Sequence, residues 1–237
     1  MDTSNYLYHL GELELQGYLA LPEKSGEAKP AVLVFHDWTG CNEFARKKAE
    51  MLASMGFVGF AVDMYGEGRQ GSTVDEKMAL MQPLMGDRKL LVDRARAAYD
   101  AVIAMPEVDD RCIAAIGFCF GGLCALDLAR TGLSALLGVV SFHGLLQAPE
   151  FKTSIDETTK ILVLHGYDDP MVPPEQVRDF CKEMTDAGVD WQVHMYGNTK
   201  HAFSNPEANN QEMGTVYSSV AEQRSIQSMK NFLHSLF

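Results

Sequence analysis

The sequence predicts an α/β fold, with a mostly parallel central sheet and helices on both of its faces. Apolar, β-branched runs alternate along the chain with segments whose apolar residues recur every three or four positions. Several of those segments end at Gly, which is a common stop signal for helices. The length of 237 residues suits one sizeable hydrophobic core, so we expect a single domain over residues 1–237.

The first predicted element is an antiparallel hairpin at the edge of the sheet, over residues 6–22, because two alternating stretches flank a Gly there. The apolar runs that follow predict strands at 30–37, 57–65, 112–118, 136–144, 160–168 and 191–197. The periodic segments predict helices at 44–56, 88–105, 120–132 and 175–188, and a closing amphipathic helix at 218–237. Repeated strand, helix, strand units of this kind join parallel strands through right-handed crossovers.

The composition argues against several classes of protein. The formal net charge is −12, and the chain has no basic run of the kind that phosphate binding needs. No segment approaches the roughly 18 consecutive apolar residues of a membrane span. The N-terminus lacks the basic start and apolar block of a signal peptide, and five cysteines without metal-ligand spacing fit a reducing compartment. We therefore expect a soluble cytoplasmic protein, with neither nucleic acid nor a membrane as partner.

Polar residues that follow the predicted strands mark where chemistry is expected. In open parallel sheets the ligand lies beyond the carboxyl ends of the strands. Four loops there are rich in reactive or small residues: "HDWTGCN" (36–42), "GFCFGG" (117–122), "HGYDDPMVP" (165–173) and "GNTKHAFSNPEAN" (197–209). Candidate functional residues are therefore sought in these loops.

The segment "GFCFGG" has the pattern of a nucleophile elbow, with Cys119 in place of the usual serine. Glycines two residues before and after the nucleophile allow a sharp turn from strand to helix, which exposes the central side chain. The start of the following helix favours a thiolate and later an oxyanion. Buried free cysteines are more often packing residues, so this interpretation depends on a suitable acid and base.

Both follow in the chain. Asp169 lies after the strand of "ILVLHGYDDPMVPP", 50 residues beyond Cys119, and His201 lies on the next loop, another 32 residues on. The order nucleophile, acid, histidine is that of the α/β-hydrolase fold. A histidine transfers protons for the nucleophile, and a carboxylate on its other nitrogen fixes its tautomer. Asp168 competes for the role of the acid, but the spacing to Val172-Pro173 favours Asp169.

The motifs "GFCFGG", "HDWTGCN", "DMYGEG", "HGYDDPMVP" and "HAFSNPEAN" together resemble the dienelactone hydrolase family, over nearly the entire chain. The resemblance implies an enzyme that opens an ester or lactone through an acyl-enzyme, with Cys119, Asp169 and His201 as its triad and no cofactor. It also implies that Asp37, where the original members have Glu, modulates the thiol.

An oxyanion hole needs two N–H donors aimed at the developing negative charge. The residue after the nucleophile, Phe120, supplies one of them, and the resemblance places the other at Trp38. The Trp38 side chain either walls the acyl pocket or simply packs.

The substrate contacts depart from the family pattern. Members that act on dienelactone hold its carboxylate with two arginines, whereas the matching positions here are Asn205 and either Gly66 or Glu67, with Arg69 nearby but out of register. A neutral ester or lactone is therefore at least as plausible as dienelactone. A phosphotriester is a further hypothesis, because its transition state also develops negative charge on oxygen. His36 precedes Asp37 and is a further candidate contact.

Two other functions remain open: a hydrolase scaffold that binds a small molecule without turnover, and a redox-sensing protein in which Cys119 forms a sulfenic acid or a disulfide with a resolving thiol. Cys124 is five residues on, but it is expected to face the core. We expect no metal, because the strand-end histidines lack a second ligand at local spacing; these are His36, His143, His165 and His194. The pattern "GEGRQG" (66–71) is not taken as a nucleotide site, and "MALMQPLM" (78–85) either packs or covers the cleft. The expected assembly is a monomer or a homodimer.

Overall fold

The computed structural model describes residues 1–23 and 27–237, and it confirms the predicted fold class. The strands are β1 Asp2–Leu10, β2 Leu13–Leu21, β3 Lys29–Phe35, β4 Val58–Val62, β5 Val108–Phe118, β6 Leu136–Phe142, β7 Lys160–Gly166 and β8 Asp190–Tyr196. They form an eight-stranded sheet in the order β1-β2-β4-β3-β5-β6-β7-β8. The predicted edge hairpin is confirmed, because β1 and β2 pair antiparallel with Leu10 opposite Leu13.

The helices are α1 Glu43–Ser54, α2 Val74–Gly86, α3 Arg88–Ile103, α4 Phe120–Ala129, α5 Pro174–Asp186 and α6 Ser219–Leu236. Local capping chemistry explains where two of them begin. The Asn42 side chain accepts the Ala45 N–H at the start of α1, and Thr73 and Glu76 form a reciprocal capping box at the start of α2. Within the described ranges, no helix is both long enough and apolar enough to cross a membrane.

The chain divides into two compact units, residues 1–116 and 117–237. In the first unit β2 pairs antiparallel and β3 pairs parallel with β4, and α1 packs on β2, β3 and β4. In the second unit β6, β7 and β8 run parallel to one another, and α4 packs on β6. The expectation of a single domain over 1–237 stays a prediction.

Most of the parallel strands end earlier than predicted. β3 ends at Phe35, β4 at Val62, β6 at Phe142 and β7 at Gly166. In each case the predicted run includes polar residues that belong to the following loop, so the prediction made these strands too long; the polar residues are His36 and Asp37, Asp63, His143, and Asp168. As a result His36, Asp37 and His143 lie in loops and not in strands. A short sheet of β9 Asn209–Asn210 and β10 Thr215–Val216 was not predicted, since two-residue strands leave no periodic signal.

The loop after β4 is organised around one buried carboxylate. Asp63, which is fully buried, accepts backbone N–H groups from Gln16, Tyr65, Gly66 and Gly68, each at 2.9 Å. Three successive residues at 66–68 have positive φ values of 88°, 56° and 64°, a conformation that glycine adopts readily. The glycines of "GEGRQG" therefore serve a turn that wraps around Asp63, and α2 begins only at Val74.

Candidate active site

Cys119 occupies a sharp turn between β5 and α4. Its φ of 55° and ψ of −117° lie outside the regions that non-glycine residues ordinarily adopt. Its N–H donates to the Phe142 carbonyl (3.0 Å), and its own carbonyl accepts the Gly122 N–H (2.9 Å). The side chain is half-buried at the start of α4, where the positive end of the helix dipole favours negative charge. This geometry matches the nucleophile elbow that the sequence predicts.

The glycines around Cys119 are required by close backbone approach. A Cβ atom on Gly117 would lie 1.9 Å from the Gly121 carbonyl oxygen, which is backbone and cannot swing aside. A Cβ on Gly122 would lie 2.5 Å from Ser141 Oγ and 2.7 Å from Gly144 Cα. The turn therefore packs directly against the chain that leaves β6.

Asp169 lies on the loop after β7 and is almost fully buried. One carboxylate oxygen accepts the Met171 N–H (2.8 Å), and the other lies 2.7 Å from His201 Nδ1. Because an ionised carboxylate only accepts, Nδ1 carries the hydrogen in this bond. Of the two acids that the sequence left in competition, Asp169 contacts His201, whereas the Asp168 side chain is exposed.

His201 lies on the loop after β8, and its ring is 1% exposed. Its carbonyl accepts the Val216 N–H (2.9 Å) from the short β10 strand, which fixes the backbone of the loop. Burial lowers the pKa of the imidazole, but the charge of Cys119 and the hydrogen bond to Asp169 outweigh burial and raise the pKa to about 10. A raised pKa means that His201 is held as the imidazolium at neutral pH.

The interaction between His201 and Cys119 falls to Nε2, because Nδ1 is occupied by Asp169. Within residues 1–23 and 27–237, Nε2 makes no hydrogen bond of good geometry. Hydrogen bonds of this kind are often long in a free enzyme and shorten when the substrate is bound.

Two further histidines interact with His201, and the sequence marked them only as strand-end histidines without metal-ligand spacing. His143 follows β6, and its ring centroid is 5.1 Å from that of His201, at an interplanar angle of 64°. His165 lies on β7, where burial lowers the pKa of its imidazole. The charges of Asp169 and His201 also act on His165, in opposite directions. Their position at strand ends was the available signal, but contact with His201 depends on tertiary packing.

The other predicted site residues belong to well-ordered local networks. Phe120 is the first residue of α4, and N–H groups of a first helical turn point out of the helix start. Asp37 accepts the Thr39 N–H (2.9 Å), and the Trp38 carbonyl accepts the Tyr65 hydroxyl (2.9 Å). The roles of Asp37, Trp38 and Phe120 toward substrate or thiol stay predictions.

The three candidate substrate contacts are also engaged locally. Both ring nitrogens of the fully buried His36 are used, on the Asp37 carbonyl (2.5 Å) and the Met64 N–H (3.2 Å). The Arg69 guanidinium donates to the carbonyls of Tyr65 and Gly66 in its own loop. The Asn205 side-chain oxygen accepts the Glu207 N–H (3.0 Å), and this half-buried residue lies on the His201 loop.

Neither a metal cluster nor a cavity in the second unit adds a candidate residue. Across the two described ranges, no group of three or more His, Cys, Asp or Glu side chains is arranged to hold a metal ion. A cavity of about 690 Å³ in the second unit is lined by residues 153–155 and by α5, and none of the candidate residues lines it. Cys119, Asp169 and His201 therefore stay the predicted catalytic residues.

Comparisons with a family model and with curated relatives point to the same protein family. The model of the dienelactone hydrolase family matches residues 15–237. A putative carboxymethylenebutenolidase from Aquifex aeolicus is 30% identical over 197 residues, which cover 81% of this chain and 83% of the relative. A probable 2-oxo-3-(5-oxofuran-2-ylidene)propanoate lactonase from Bradyrhizobium is 30% identical over 207 residues, with coverages of 81% and 80%.

Solved structures include very similar chains, of which one is described by its activity. The crystal structure of a dienelactone hydrolase-like promiscuous phosphotriesterase from metagenomic libraries has a TM-score of 0.92 and 37% sequence identity. The match covers 100% of this chain and 98% of the other. A thermophilic esterase from Thermogutta terrifontis, at 18% identity and a TM-score of 0.69, shows the fold alone.

Proposed function

The chain belongs to the dienelactone hydrolase family, and from this premise we propose that it hydrolyses carboxylic esters or lactones with Cys119 as the nucleophile. The observation that carries the proposal is the bond between Asp169 and a nearly inaccessible His201, whose Nε2 is left for the elbow cysteine. A nucleophile, a base and an orienting acid are the parts that covalent hydrolysis needs. The reaction requires no cofactor.

In the acylation step the Cys119 thiolate attacks the carbonyl carbon and forms the C–S bond, while the carbonyl electrons move onto oxygen. The resulting oxyanion is stabilised by the Phe120 N–H at the start of α4 and, by family resemblance, by the Trp38 N–H. When the intermediate collapses, the C–O bond breaks and the leaving alkoxide takes the proton from His201 Nε2. The products are the alcohol and a thioester on Cys119.

In the deacylation step the now neutral His201 accepts a proton from water, and the hydroxide attacks the thioester carbonyl. Collapse of this second intermediate breaks the C–S bond, releases the carboxylic acid and regenerates the thiolate beside a protonated His201. Asp169 holds the hydrogen on Nδ1 throughout, so that Nε2 is the nitrogen that exchanges the proton.

We propose a neutral ester or lactone as the preferred substrate. Arg69 is committed to carbonyls in its own loop, and Asn205 carries no charge. Each charge-assisted hydrogen bond missing from a substrate carboxylate forfeits about 1.5–3 kcal/mol, or roughly tenfold or more in affinity. The formal net charge of −12 also disfavours the approach of an anion.

A phosphotriester is the second candidate substrate, and the similarity to a promiscuous phosphotriesterase favours it. Attack of the thiolate on phosphorus would expel an aryl oxide and leave a phosphorylated Cys119, which water then has to hydrolyse. The same N–H donors would stabilise the negative phosphoryl oxygen.

The cysteines bear on the compartment. None of the five, which all lie in the described ranges, is in a disulfide, which supports a reducing compartment, and we propose the cytoplasm.

The test is turnover of p-nitrophenyl acetate, p-nitrophenyl butyrate, a dienelactone and an aryl phosphotriester by the wild type and by Cys119→Ala. We expect the wild type to hydrolyse a neutral ester faster than the dienelactone. Cys119→Ala should reduce turnover by at least about a thousandfold, because no other group can form the acyl-enzyme.

The matched control is Cys181→Ala, since Cys181 is a half-buried free cysteine on α5, far along the chain from the elbow. It should retain wild-type rates. If the wild type and Cys119→Ala are equally inert, the chain is a binding scaffold. If peroxide converts Cys119 to a disulfide with Cys124 without any ester turnover, the redox alternative holds instead.

A further inference from the structure

Backbone strain is concentrated around the proposed site. Among the described residues, five non-glycine positions have positive φ, and three of them are Cys119 (55°), His143 (38°) and Ala202 (58°), next to His201. Such conformations persist only where surrounding contacts hold them, and they cluster at functional sites. The elbow accounts for Cys119, and Ala202 follows the base directly. His143 has no part in the mechanism above.

Several contacts hold His143 in this conformation. Its N–H donates to the Leu164 carbonyl (2.9 Å) and so extends the pairing of β6 with β7 by one residue. Its ring is 2% exposed and packs edge to face against Phe203, with 5.1 Å between centroids. Its Nε2 lies 2.8 Å from Ser204 Oγ, which is fully buried. The ring is thus fixed both by packing and by a hydrogen bond.

The partners of His143 belong to the loop that carries His201. Ser204 is three residues beyond His201, and Phe203 is two residues beyond it. The hydrogen bond therefore ties the His201 loop to the end of β6, in addition to the Asp169 bond that ties the ring to the end of β7. The imidazole of His143 also packs against the His201 ring itself, with 5.1 Å between the ring centroids.

A second contact is needed for geometric reasons. The single hydrogen bond from Nδ1 to Asp169 fixes one corner of the imidazole, but the ring can still pivot about that corner. Pivoting would move Nε2 away from the Cys119 sulfur, and errors of about 1 Å in such geometry can cost roughly a hundredfold in rate. Edge-to-face packing of a second ring against the imidazole restricts this freedom.

We propose that His143, locked by Ser204, is a positioning residue that fixes the plane of the His201 ring so that Nε2 stays aligned with Cys119. The proposal rests on the proposed function, in which His201 transfers the proton between the sulfur, the leaving group and water. The sequence pattern of the site does not include this pair, because neither residue is itself part of the proposed chemistry.

The experiment measures kcat and KM for p-nitrophenyl butyrate in His143→Phe, Ser204→Ala and the double variant. Phe keeps the packed ring but removes Nε2, and Ala removes only the hydroxyl that it binds. We expect each single variant to lower kcat by about tenfold while KM changes less than about twofold. The double variant should be little worse than either single variant, because both remove the same bond.

A second readout does not depend on turnover. The rate of Cys119 alkylation by iodoacetamide is followed as a function of pH, with Cys119→Ala as the blank. Loosening His201 should weaken its charge interaction with the sulfur, so both single variants should alkylate more slowly than the wild type near neutral pH. A role limited to stability would lower the melting temperature and leave this profile unchanged.

The matched control pair is His194→Phe and Ser228→Ala, another histidine and serine in contact, with Nδ1 3.2 Å from Oγ. These variants should keep wild-type kcat and alkylation. Unchanged kcat and an unchanged alkylation profile in folded Ser204→Ala and His143→Phe would overturn the proposal. If the wild type hydrolyses no ester, the proposed function fails, and the alkylation profiles still decide whether His143 positions His201.

Discussion

Cys119 has a backbone conformation that costs about 1–3 kcal/mol for a residue with a side chain. The surrounding structure compensates for this cost through the bond to the Phe142 carbonyl and the tight packing of Gly117 and Gly122. In return the sulfur lies at the start of α4, where N–H groups and the helix dipole favour negative charge. At the scale of single residues, the strained turn is thus also what places the Cys119 sulfur at the start of the helix.

Asp168 and Asp169 are neighbours in the chain, but only Asp169 is bonded to His201. Asp169→Asn should lower kcat for an ester by about a thousandfold, because an amide can hold His201 in the wrong tautomer. Asp168→Asn is the matched control, since its exposed side chain makes no contact with His201 and the rate should stay within about twofold. Steady-state kinetics of both variants give the two values of kcat. Equal decreases in kcat would contradict the assignment of Asp169 as the acid.

At the scale of elements, the elbow depends on how closely β5 and α4 approach each other. Gly117→Ala should destabilise the fold by more than about 3 kcal/mol, because the new methyl group would overlap the Gly121 carbonyl and force the helix start to move. Gly86→Ala is the control, since nothing lies within 4 Å of a Cβ at this last residue of α2.

Gly86→Ala should leave the free energy of unfolding unchanged or raise it by up to about 1 kcal/mol, because alanine favours helices more than glycine does. Urea unfolding of the two variants gives both free energies of unfolding. A loss in Gly117→Ala no larger than that of an average point mutation, about 1 kcal/mol, would show that α4 can shift without cost.

At the scale of the whole molecule, the raised pKa of His201 links stability to pH. Folded His201 keeps its proton up to a pKa of about 10, whereas the ordinary value is 6.5. Between these values His201 itself keeps a proton in the folded state that it releases in the unfolded state, so the contribution of this one group to stability is complete below pH 6.5 and is lost as the pH approaches 10. Burial lowers the pKa of His36 and His165, which destabilises the fold instead as the pH falls through 6.5.

Comparing the wild type with Asp169→Asn isolates the part of the pH-dependent stability that comes from His201. The variant loses the bond that helps to raise the pKa, so its melting temperature should lie below that of the wild type at pH 6.5, and the difference should narrow toward pH 10. Thermal unfolding at a series of pH values measures the difference. A difference in melting temperature that stays constant between pH 6.5 and pH 10 would mean that His201 does not hold its proton in the folded state.

The sequence by itself determined the fold class, the edge hairpin and the order of the site loops, because apolar periodicity and glycine positions are local properties of the chain. Loop position and chain order also predict Cys119, Asp169 and His201 as the catalytic residues, and this assignment stays a prediction. The sequence did not determine where β6 ends, because the predicted strand runs to residue 144 whereas the positive φ of His143 turns the chain out of the strand after Phe142.

Only the tertiary structure placed His143 against His201 and Ser204, and only it showed that Arg69 is committed to the carbonyls of its own loop. These residues are far apart in the chain or can adopt many side-chain rotamers, so no spacing rule relates them. Contacts of this kind are decided by packing, which depends on all the elements of a unit at once. A sequence motif can indicate which residues react, but the residues that hold them in position become visible only when the chain is folded.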